Sequence, residues 1–388
     1  MTFSLRDWIR DNLKGDRYIW WIVLYLSIMS VLVVYSATGS KAFKETGGNT
    51  EIFLFKHGFL VLVGLAATFF AHRLNYIVFA RLAQYGLWLS VPLLIWARVS
   101  GAINGASRWV QIPIINQNFE PSDLAKLALI SSLAAMLARR QKFMSDPSML
   151  TNMIVWIGVI CALIVLTNTS TALLLGMTCF LLMYIGRVPI KYLIYMVLFC
   201  VAMGGLAALI AGQRVGTARH RIDTYKAALF GTDDEAKLDT ETKKSLYQLH
   251  QSYIAVANGG IQGKGPGRSH QRNVLPHPYS DFIFAIIVEE YGLLGGLLTV
   301  GAYIWLLARG IRVIRRGSRP FGGLLAAGLT FSVVLQALIS MAVSVGLVPV
   351  TGLPLPLLSM GGTSLLFTGL AIGIILSVSR EETDESAI

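Results

Sequence analysis

Apolar runs long enough to cross a membrane recur from one end of the chain to the other, and they constrain its fold more than any other feature. A helix needs about 20 apolar residues to span the roughly 30 Å hydrocarbon core of a bilayer. Hydrophobic residues make up 54% of the 388 residues and charged residues only 14%, which is too apolar for a soluble protein of this length. We therefore expect an integral membrane protein.

These runs predict ten transmembrane helices. They cover residues 19–37, 53–71, 77–97, 124–137, 149–166, 172–184, 192–210, 282–308, 322–347 and 357–378. The fourth and the sixth are short, although flanking residues can extend both. The predicted fold class is an all-α polytopic membrane protein, a single domain over residues 1–388, with a large loop at 211–280 between helices 7 and 8.

The positions of lysine and arginine predict how the helices are oriented. Basic residues collect in the short cytoplasmic connections of membrane proteins. Here they precede the first predicted span and follow every second span after it, as at Arg10, Arg73, Arg139, Arg187, Arg309 and Arg380. Both termini, residues 1–18 and 379–388, are therefore expected in the cytoplasm. The 211–280 loop is expected outside.

The net charge of +12 does not indicate nucleic-acid binding, because much of it falls in these basic connections. There it meets the anionic headgroups of membrane lipids. The three cysteines, Cys161, Cys179 and Cys200, all lie within predicted spans. They indicate neither a disulfide framework nor a zinc site.

Acidic residues at the start of the eighth predicted span are the first candidates for chemistry. Asp281 lies where the large loop enters that span, and a partly buried carboxylate there can act as a general base. The alternative is that Ser280 or Asp281 caps the helix. Glu289 and Glu290 follow about 12 Å farther along, at a depth where charge is costly. An interhelical ion pair or hydrogen bond is as consistent with either glutamate as a catalytic role, and Lys126 and Lys56 are the candidate partners.

A glycine-rich segment, residues 258–268, precedes Asp281 in the large loop. It differs from a phosphate-binding P-loop because Lys264 is followed by glycine where serine or threonine is required. Repeated glycines can still expose backbone amides as an anion-binding nest, with Lys264 and Arg268 adding charge. The alternative is a flexible turn.

Two further segments place polar residues at the ends of predicted spans. Pro121 precedes the fourth span, and Lys126 then points into the membrane, either toward a substrate or back to the interface. Residues 349–364 combine prolines, glycines and hydroxyls. Irregular backbone at membrane depth is tolerated where it lines a cavity, so this segment predicts a substrate groove.

These segments, in this order, resemble the SEDS family of bacterial cell-wall polymerases, which includes FtsW, RodA and SpoVE. The matching residues are 104–109, 120–126, 251–267, 281–285, 289–292 and 349–364. The resemblance implies polymerisation of lipid II into glycan strands at the outer face of the bacterial cytoplasmic membrane. It also implies a class B penicillin-binding protein, a transpeptidase, as partner. The 104–109 segment is more similar to the division member than to the elongation member, which implies a place at the septum with other divisome proteins.

The implied chemistry assigns roles to individual residues. Asp281, which the resemblance identifies as the catalytic aspartate, would deprotonate the acceptor 4-hydroxyl. That hydroxyl attacks the anomeric carbon while undecaprenyl pyrophosphate leaves. One base suffices for this inverting displacement, whereas retention needs a second carboxylate at about 5 Å. The expected substrate-binding residues are Arg108, Lys126, Lys264, Arg221, Lys56 and Ser359, with Glu120, Asp123, Glu289 and Glu290 in support.

No metal-ligand cluster stands out in the sequence, although a divalent cation, Mg²⁺ or Mn²⁺, held between pyrophosphate and Asp281 is compatible with this chemistry. The chain departs from the family pattern at Asn168, where an acid is usual, so any role of that acid does not carry over. Glu120 and Asp123 stand where Gln and Glu are more usual, and Ser344 replaces an asparagine.

Three other functions remain open at this point, and one of them, a non-catalytic scaffold for division proteins, leaves Asp281 and Lys264 unexplained. A transporter that flips lipid II without forming a bond also needs many spans, intramembrane charges and a polar groove. It needs a site near the midplane reached from both sides, whereas Asp281 and the glycine-rich segment fall on one face. The elongation-type polymerase is the remaining alternative.

Overall fold

Helices make up most of the chain, and ten of them correspond to the ten predicted spans. The computed structural model describes residues 12–39, 41, 43, 47, 49–100, 109–112, 117–139, 147–211, 213–230, 239–316 and 319–385. The helices in these ranges are α1 (Arg17–Ala37), α2 (Glu51–Arg73), α3 (Tyr76–Val99), α4 (Pro121–Arg139), α5 (Pro147–Val165), α6 (Thr169–Ile185), α7 (Ile190–Ala211), α8 (Gln213–Phe230), α9 (Thr240–Gly259), α10 (Ile283–Arg316), α11 (Pro320–Ser344) and α12 (Gly362–Glu385).

Seven helices in the described part of the chain are long and apolar enough to cross a bilayer, namely α1 to α4 and α10 to α12. Helices α5, α6 and α7 are apolar but shorter, at 150–165, 169–185 and 190–206. The all-α polytopic fold class is confirmed. The fourth and sixth predicted spans correspond to α4 and α6. Each helix is longer than its apolar run because it also includes polar flanking residues.

Local sequence explains several of the helix ends. Asp16 caps α1 by accepting a hydrogen bond from the backbone N–H of Tyr18 at 2.9 Å. Asn75 caps α3 in the same way. Pro320 occupies the first turn of α11, where its missing N–H costs no helical hydrogen bond.

The bundle is held together by buried aliphatic side chains and by close helix crossings. A close crossing joins α2 and α12, where Thr68 Oγ1 donates to the carbonyl of Gly369 at 3.0 Å. A Cβ on Gly369 would lie 2.2 Å from the carbonyl oxygen of Gly64, so only glycine fits there. Small residues of this kind let membrane helices approach closely.

Three features differ from the prediction. The large loop contains two helices, α8 and α9, and a 3₁₀ turn at Gln271–Asn273. A short antiparallel hairpin, Val110–Ile112 with Gln117–Phe119, precedes α4. The tenth span begins at Gly362 rather than at 357, because prolines at 354 and 356 and a left-handed residue, Leu357 with φ 64°, interrupt the helix.

Candidate functional site

Asp281 lies two residues before α10, and its side chain is half-buried. In the described part of the chain, the hydrogen bond that reaches its carboxylate comes from Ser280 Oγ, at 2.9 Å. The helix itself begins at Ile283, with Ala285 N–H bonded to the carbonyl of Phe282. The capping alternative is therefore not what the structure shows.

A turn formed by residues 354–360, here called the 354–360 turn, packs against the backbone before Asp281. Ser359 Oγ donates to the carbonyl of Ser280 at 2.7 Å and accepts from Leu355 N–H at 2.8 Å. Met360 N–H donates to the carbonyl of Tyr279 at 2.9 Å. Ser359, predicted to bind substrate, thus fixes the chain that carries Asp281.

Lys126 lines an open cleft between α4, α11 and α12. Its ammonium lies 2.8 Å from Asp123 Oδ1 and 3.2 Å from Gln336 Oε1. Gln336 in turn donates to the carbonyl of Pro354, at 2.9 Å, so the cleft adjoins the 354–360 turn. Asp123 Oδ2 is buried and has no hydrogen-bond partner among the described residues. Lys126 points into the cleft and not away to the interface.

Glu120 lies just before the same helix and is buried. Its carboxylate accepts a hydrogen bond from Ser122 Oγ at 2.8 Å, and its backbone N–H donates to Thr363 Oγ1 at 3.2 Å. The latter bond ties the start of α4 to the start of α12. Glu120 and Asp123 therefore shape one wall of the region that Lys126 occupies.

The glycine-rich segment docks on α10 where that helix is broken. Gly292 has φ 69° and ψ −171°, which interrupts the helical hydrogen bonds around it. Lys264 and Gly265 donate their backbone N–H groups to the carbonyls of Glu289 and Glu290, both at 2.9 Å. Leu293 N–H donates back to the carbonyl of Gly260 at 2.9 Å. The expectation of an anion-binding nest is wrong for these amides, because the broken helix uses them.

Glu289 is fully buried, and four donors surround its carboxylate. Lys264 Nζ lies 2.7 Å from Oε1, and the amides of His270 and Gln271 donate at 3.1 and 3.2 Å. The hydroxyl of Ser269 is the fourth donor. The ion-pair alternative is correct for Glu289, but its partner is Lys264 and not Lys126 or Lys56. Lys264, predicted to meet substrate, is engaged in this pair.

Glu290 faces a different neighbour, the end of α1. Its Oε1 accepts from the hydroxyl of Ser36 and from the N–H of Ser269 at 3.3 Å. Arg272 donates to Ser36 Oγ at 3.0 Å. The two adjacent glutamates therefore fasten the loop to two helices, which is a supporting role.

The remaining predicted residues lie apart from these contacts. Arg221 on α8 donates to Ser170 Oγ at 2.6 Å, next to the start of α6. Asn168 caps that helix by accepting from Thr171 N–H at 3.3 Å. The side chain of Lys56 on α2 is exposed, and Arg108 lies outside the described residues.

The structure thus bonds Ser359 to the residue before Asp281, and the 354–360 turn that contains Ser359 is joined to Lys126 through Gln336. Gln336 was not predicted, although it is a polar residue inside an apolar run and this signal was available, and Ser280 was predicted only as a candidate helix cap. Within the described ranges, there is no group of three or more His, Cys, Asp or Glu residues that could hold a metal ion.

Comparison with known proteins adds sequence relatives along nearly the whole chain. The profile of the FtsW/RodA/SpoVE family, described as cell cycle protein, matches residues 16–384. A probable peptidoglycan glycosyltransferase FtsW of Geobacter sulfurreducens (strain DL-1 / KN400) is 32% identical over 378 residues, which cover 96% of each chain. Stage V sporulation protein E of Bacillus subtilis is 30% identical over 368 residues, covering 92% of this chain and 95% of the relative.

Two solved structures are similar in fold. One is a chain from a structure described as "Structural coordination of polymerization and crosslinking by a peptidoglycan synthase complex". It has a TM-score of 0.67 and 24% identity and covers 95% of this chain and 98% of its own. The other is the rod shape determining protein RodA of Thermus thermophilus, with a TM-score of 0.63, 22% identity and coverage of 96% and 99%. At these identities the likeness shows a shared fold.

Proposed function

Since the chain belongs to the FtsW/RodA/SpoVE family, we propose that it is a peptidoglycan glycosyltransferase that polymerises lipid II into glycan strands. A relative named for this activity aligns over 96% of both chains at 32% identity. The proposal needs a base for the acceptor hydroxyl and a cation for the departing pyrophosphate. Both have candidates among the described residues.

The observation that carries the proposal is the setting of Asp281. It is half-buried at the start of α10, and its backbone is fixed by Ser359 while its carboxylate receives one hydrogen bond. Glu289, by contrast, is saturated by four donors. Asp281 therefore takes the proton of the acceptor 4-hydroxyl, which attacks the anomeric carbon with inversion. One base is enough for this route.

Lys126 is the cation that we assign to the pyrophosphate. Its ammonium is held by Asp123 and Gln336 at the wall of an open cleft, so it is oriented before substrate arrives. A fixed positive charge binds the diphosphate of the donor and also stabilises the charge that develops as this group leaves. Contacts of substrate with Arg108, Arg221, Lys56 and Ser359 remain predictions.

We propose that both termini are cytoplasmic and that Asp281 faces the outside. Basic residues cluster where the start of α1 meets the ends of other helices, since Arg309 Nε donates to Asp16 at 2.7 Å and Arg380 donates to the carbonyl of Arg73 at 2.9 Å. Basic clusters of this kind favour the cytoplasmic side. Asp281 precedes α10, whose other end carries Arg309.

The proposed setting is the division septum, with a class B penicillin-binding protein as the transpeptidase partner and other divisome proteins nearby. The FtsW name of the relatives supports a role in division. A chain of similar fold comes from a complex that coordinates polymerization and crosslinking, which supports a transpeptidase partner.

Two assays on one preparation test the proposal. The purified protein, with and without its transpeptidase partner, is given lipid II, and glycan strands are resolved on a gel. The same preparation in vesicles is tested for flipping of labelled lipid II. We expect glycan strands. Flipping without strand formation in either condition would instead support the transporter.

A further inference from the structure

The 354–360 turn contains a residue in an unfavourable backbone conformation. Leu357 has φ 64°, a region in which the Cβ of a non-glycine residue crowds the following carbonyl oxygen. Its side chain is buried, so the conformation is not a surface irregularity. Such a residue persists where surrounding contacts over-determine it, and such contacts concentrate at functional sites.

The contact next to Leu357 comes from Ser30, and a buried histidine contacts Ser30 in turn. Ser30 Oγ on α1 donates to the carbonyl of Leu358 at 3.0 Å, and His57 Nε2 on α2 lies 2.8 Å from the same Oγ. A carbonyl only accepts, so the single hydroxyl proton of Ser30 is used on Leu358. Ser30 must then accept from His57, which carries its proton on Nε2.

His57 has no evident role apart from this bond. Its side chain is 1% exposed, and Nδ1 is buried without a hydrogen-bond partner in the described part of the chain. A polar ring inside a membrane helix is costly and is a functional candidate by default. Among the described residues, the one hydrogen bond of His57 is to Ser30, which contacts the 354–360 turn.

The other side of the turn holds the backbone of Asp281. Ser359, the residue after Leu358, donates to the carbonyl of Ser280, and Ser280 donates to the Asp281 carboxylate at 2.9 Å. A continuous series of contacts therefore runs from His57 through Ser30 and the turn to Asp281. Tyr303 and Gln336 bond the carbonyls of Pro356 and Pro354, which leaves the Leu358 carbonyl to Ser30.

We propose that His57 is a positioning residue for Asp281, acting through Ser30 and the 354–360 turn. This inference rests on the proposed function, in which Asp281 is the base. Loss of the bond lets the turn relax and moves the carboxylate away from the acceptor hydroxyl. Misplacing a catalytic group by about 1 Å lowers the rate by up to about 100-fold. Because substrate does not contact His57, the KM of the protein for lipid II should not change when His57 is replaced.

The test compares His57→Leu, His57→Gln, His57→Asn and Ser30→Ala in lipid II polymerisation, with Ser27→Ala as control. Ser27 is a buried serine three residues earlier on α1. The side-chain nitrogen of glutamine reaches the position of Nε2, whereas that of asparagine reaches the position of Nδ1. We expect kcat to fall about 10- to 100-fold in the leucine, asparagine and Ser30→Ala variants with KM within twofold of wild type. His57→Gln should recover most of kcat.

The double variant His57→Leu with Ser30→Ala should be no slower than the slower single variant, because both changes break one series of contacts. Wild-type kcat in the single variants would overturn the proposal, as would equal loss in the glutamine and asparagine variants or a loss that follows only the melting temperature. Asp281→Asn, assayed in parallel, separates the two claims. An inactive Asp281→Asn beside fully active His57 variants removes the positioning role alone, whereas an active Asp281→Asn removes the proposed function.

Discussion

The ammonium of Lys264 lies 2.7 Å from the carboxylate of Glu289, which joins the glycine-rich segment to the broken part of α10. The backbone N–H of the same lysine bonds to the carbonyl of the same glutamate, at 2.9 Å. A helix interrupted at membrane depth leaves backbone groups that need partners, and this segment supplies them. Lys264 and Glu289 thus stabilise the packing of the glycine-rich segment on α10, the helix that follows Asp281.

The first prediction concerns the two members of this pair. Glu289→Gln places an amide NH₂ among four donors, and we expect it to lower the free energy of unfolding by about 3 kcal/mol or more. Lys264→Met should cost less, about 1 kcal/mol, because the carboxylate keeps its bonds to Ser269, His270 and Gln271. Thermal unfolding in detergent measures both. A larger loss for Lys264→Met would contradict this ordering.

A second prediction separates steric contact from backbone strain in the glycine-rich segment. Gly263 and Gly267 have φ of 79° and 74°, so alanine is strained at both. A Cβ on Gly263 would lie 2.3 Å from the Glu290 carbonyl oxygen, whereas Gly267 has open space. Gly267→Ala should cost about 1 kcal/mol, and Gly263→Ala should lower the melting temperature far more. Similar melting temperatures for the two variants would mean that the segment does not dock as described.

The third prediction tests the role of Lys126. Lys126→Met removes the charge proposed for the pyrophosphate and also leaves the buried Asp123 carboxylate unpaired. We expect KM for lipid II to rise about tenfold or more, with a stability loss of about 3 kcal/mol.

The double variant Lys126→Met with Asp123→Asn distinguishes the two effects. Neutralising Asp123 should restore the melting temperature, because no unpaired buried charge remains. The rise in KM should persist. Recovery of both stability and KM in the double variant would limit Lys126 to a structural role.

The fourth prediction concerns Asn168, the departure from the family pattern. Its side chain caps α6, so Asn168→Ala should lower the free energy of unfolding by about 1 kcal/mol. Asn168→Asp should be at least as stable as wild type, because a carboxylate accepts the same bond and the helix N-terminus favours negative charge. Thermal unfolding compares the two. Strong destabilisation by aspartate would contradict the cap.

The spans were predictable because length and apolarity decide whether a segment crosses a bilayer, whatever its neighbours are. Helix α9 was missed because its mean composition is polar. Its inward face, with Leu246, Leu249, Tyr253 and Val256 at helical spacing, was nevertheless a usable signal. The prolines of residues 349–364 also indicated irregular backbone around the 354–360 turn, although the extent of the turn was not predicted.

Contacts between distant parts of the chain could not be predicted from local sequence. The bond from Lys264 to Glu289 joins residues 25 apart, and the bond from Ser359 to Ser280 joins residues 79 apart. Both depend on how the helices pack, and local sequence therefore left the glycine-rich segment open as an anion site or a flexible turn and did not predict that it docks on α10. Asp281 was found through resemblance, since its local setting also suited a helix cap.

The role of Asp281 as the base for glycan polymerisation is tested by the substitution Asp281→Asn. Asp239→Asn is the matched control, because Asp239 is an exposed aspartate at the start of α9. Purified wild-type and variant proteins, each with the transpeptidase partner, are assayed for strand formation from lipid II. If Asp281 is the base, Asp281→Asn forms no detectable strands at an unchanged melting temperature, whereas Asp239→Asn forms strands as the wild type does. Strand formation by Asp281→Asn at the wild-type rate would contradict this role.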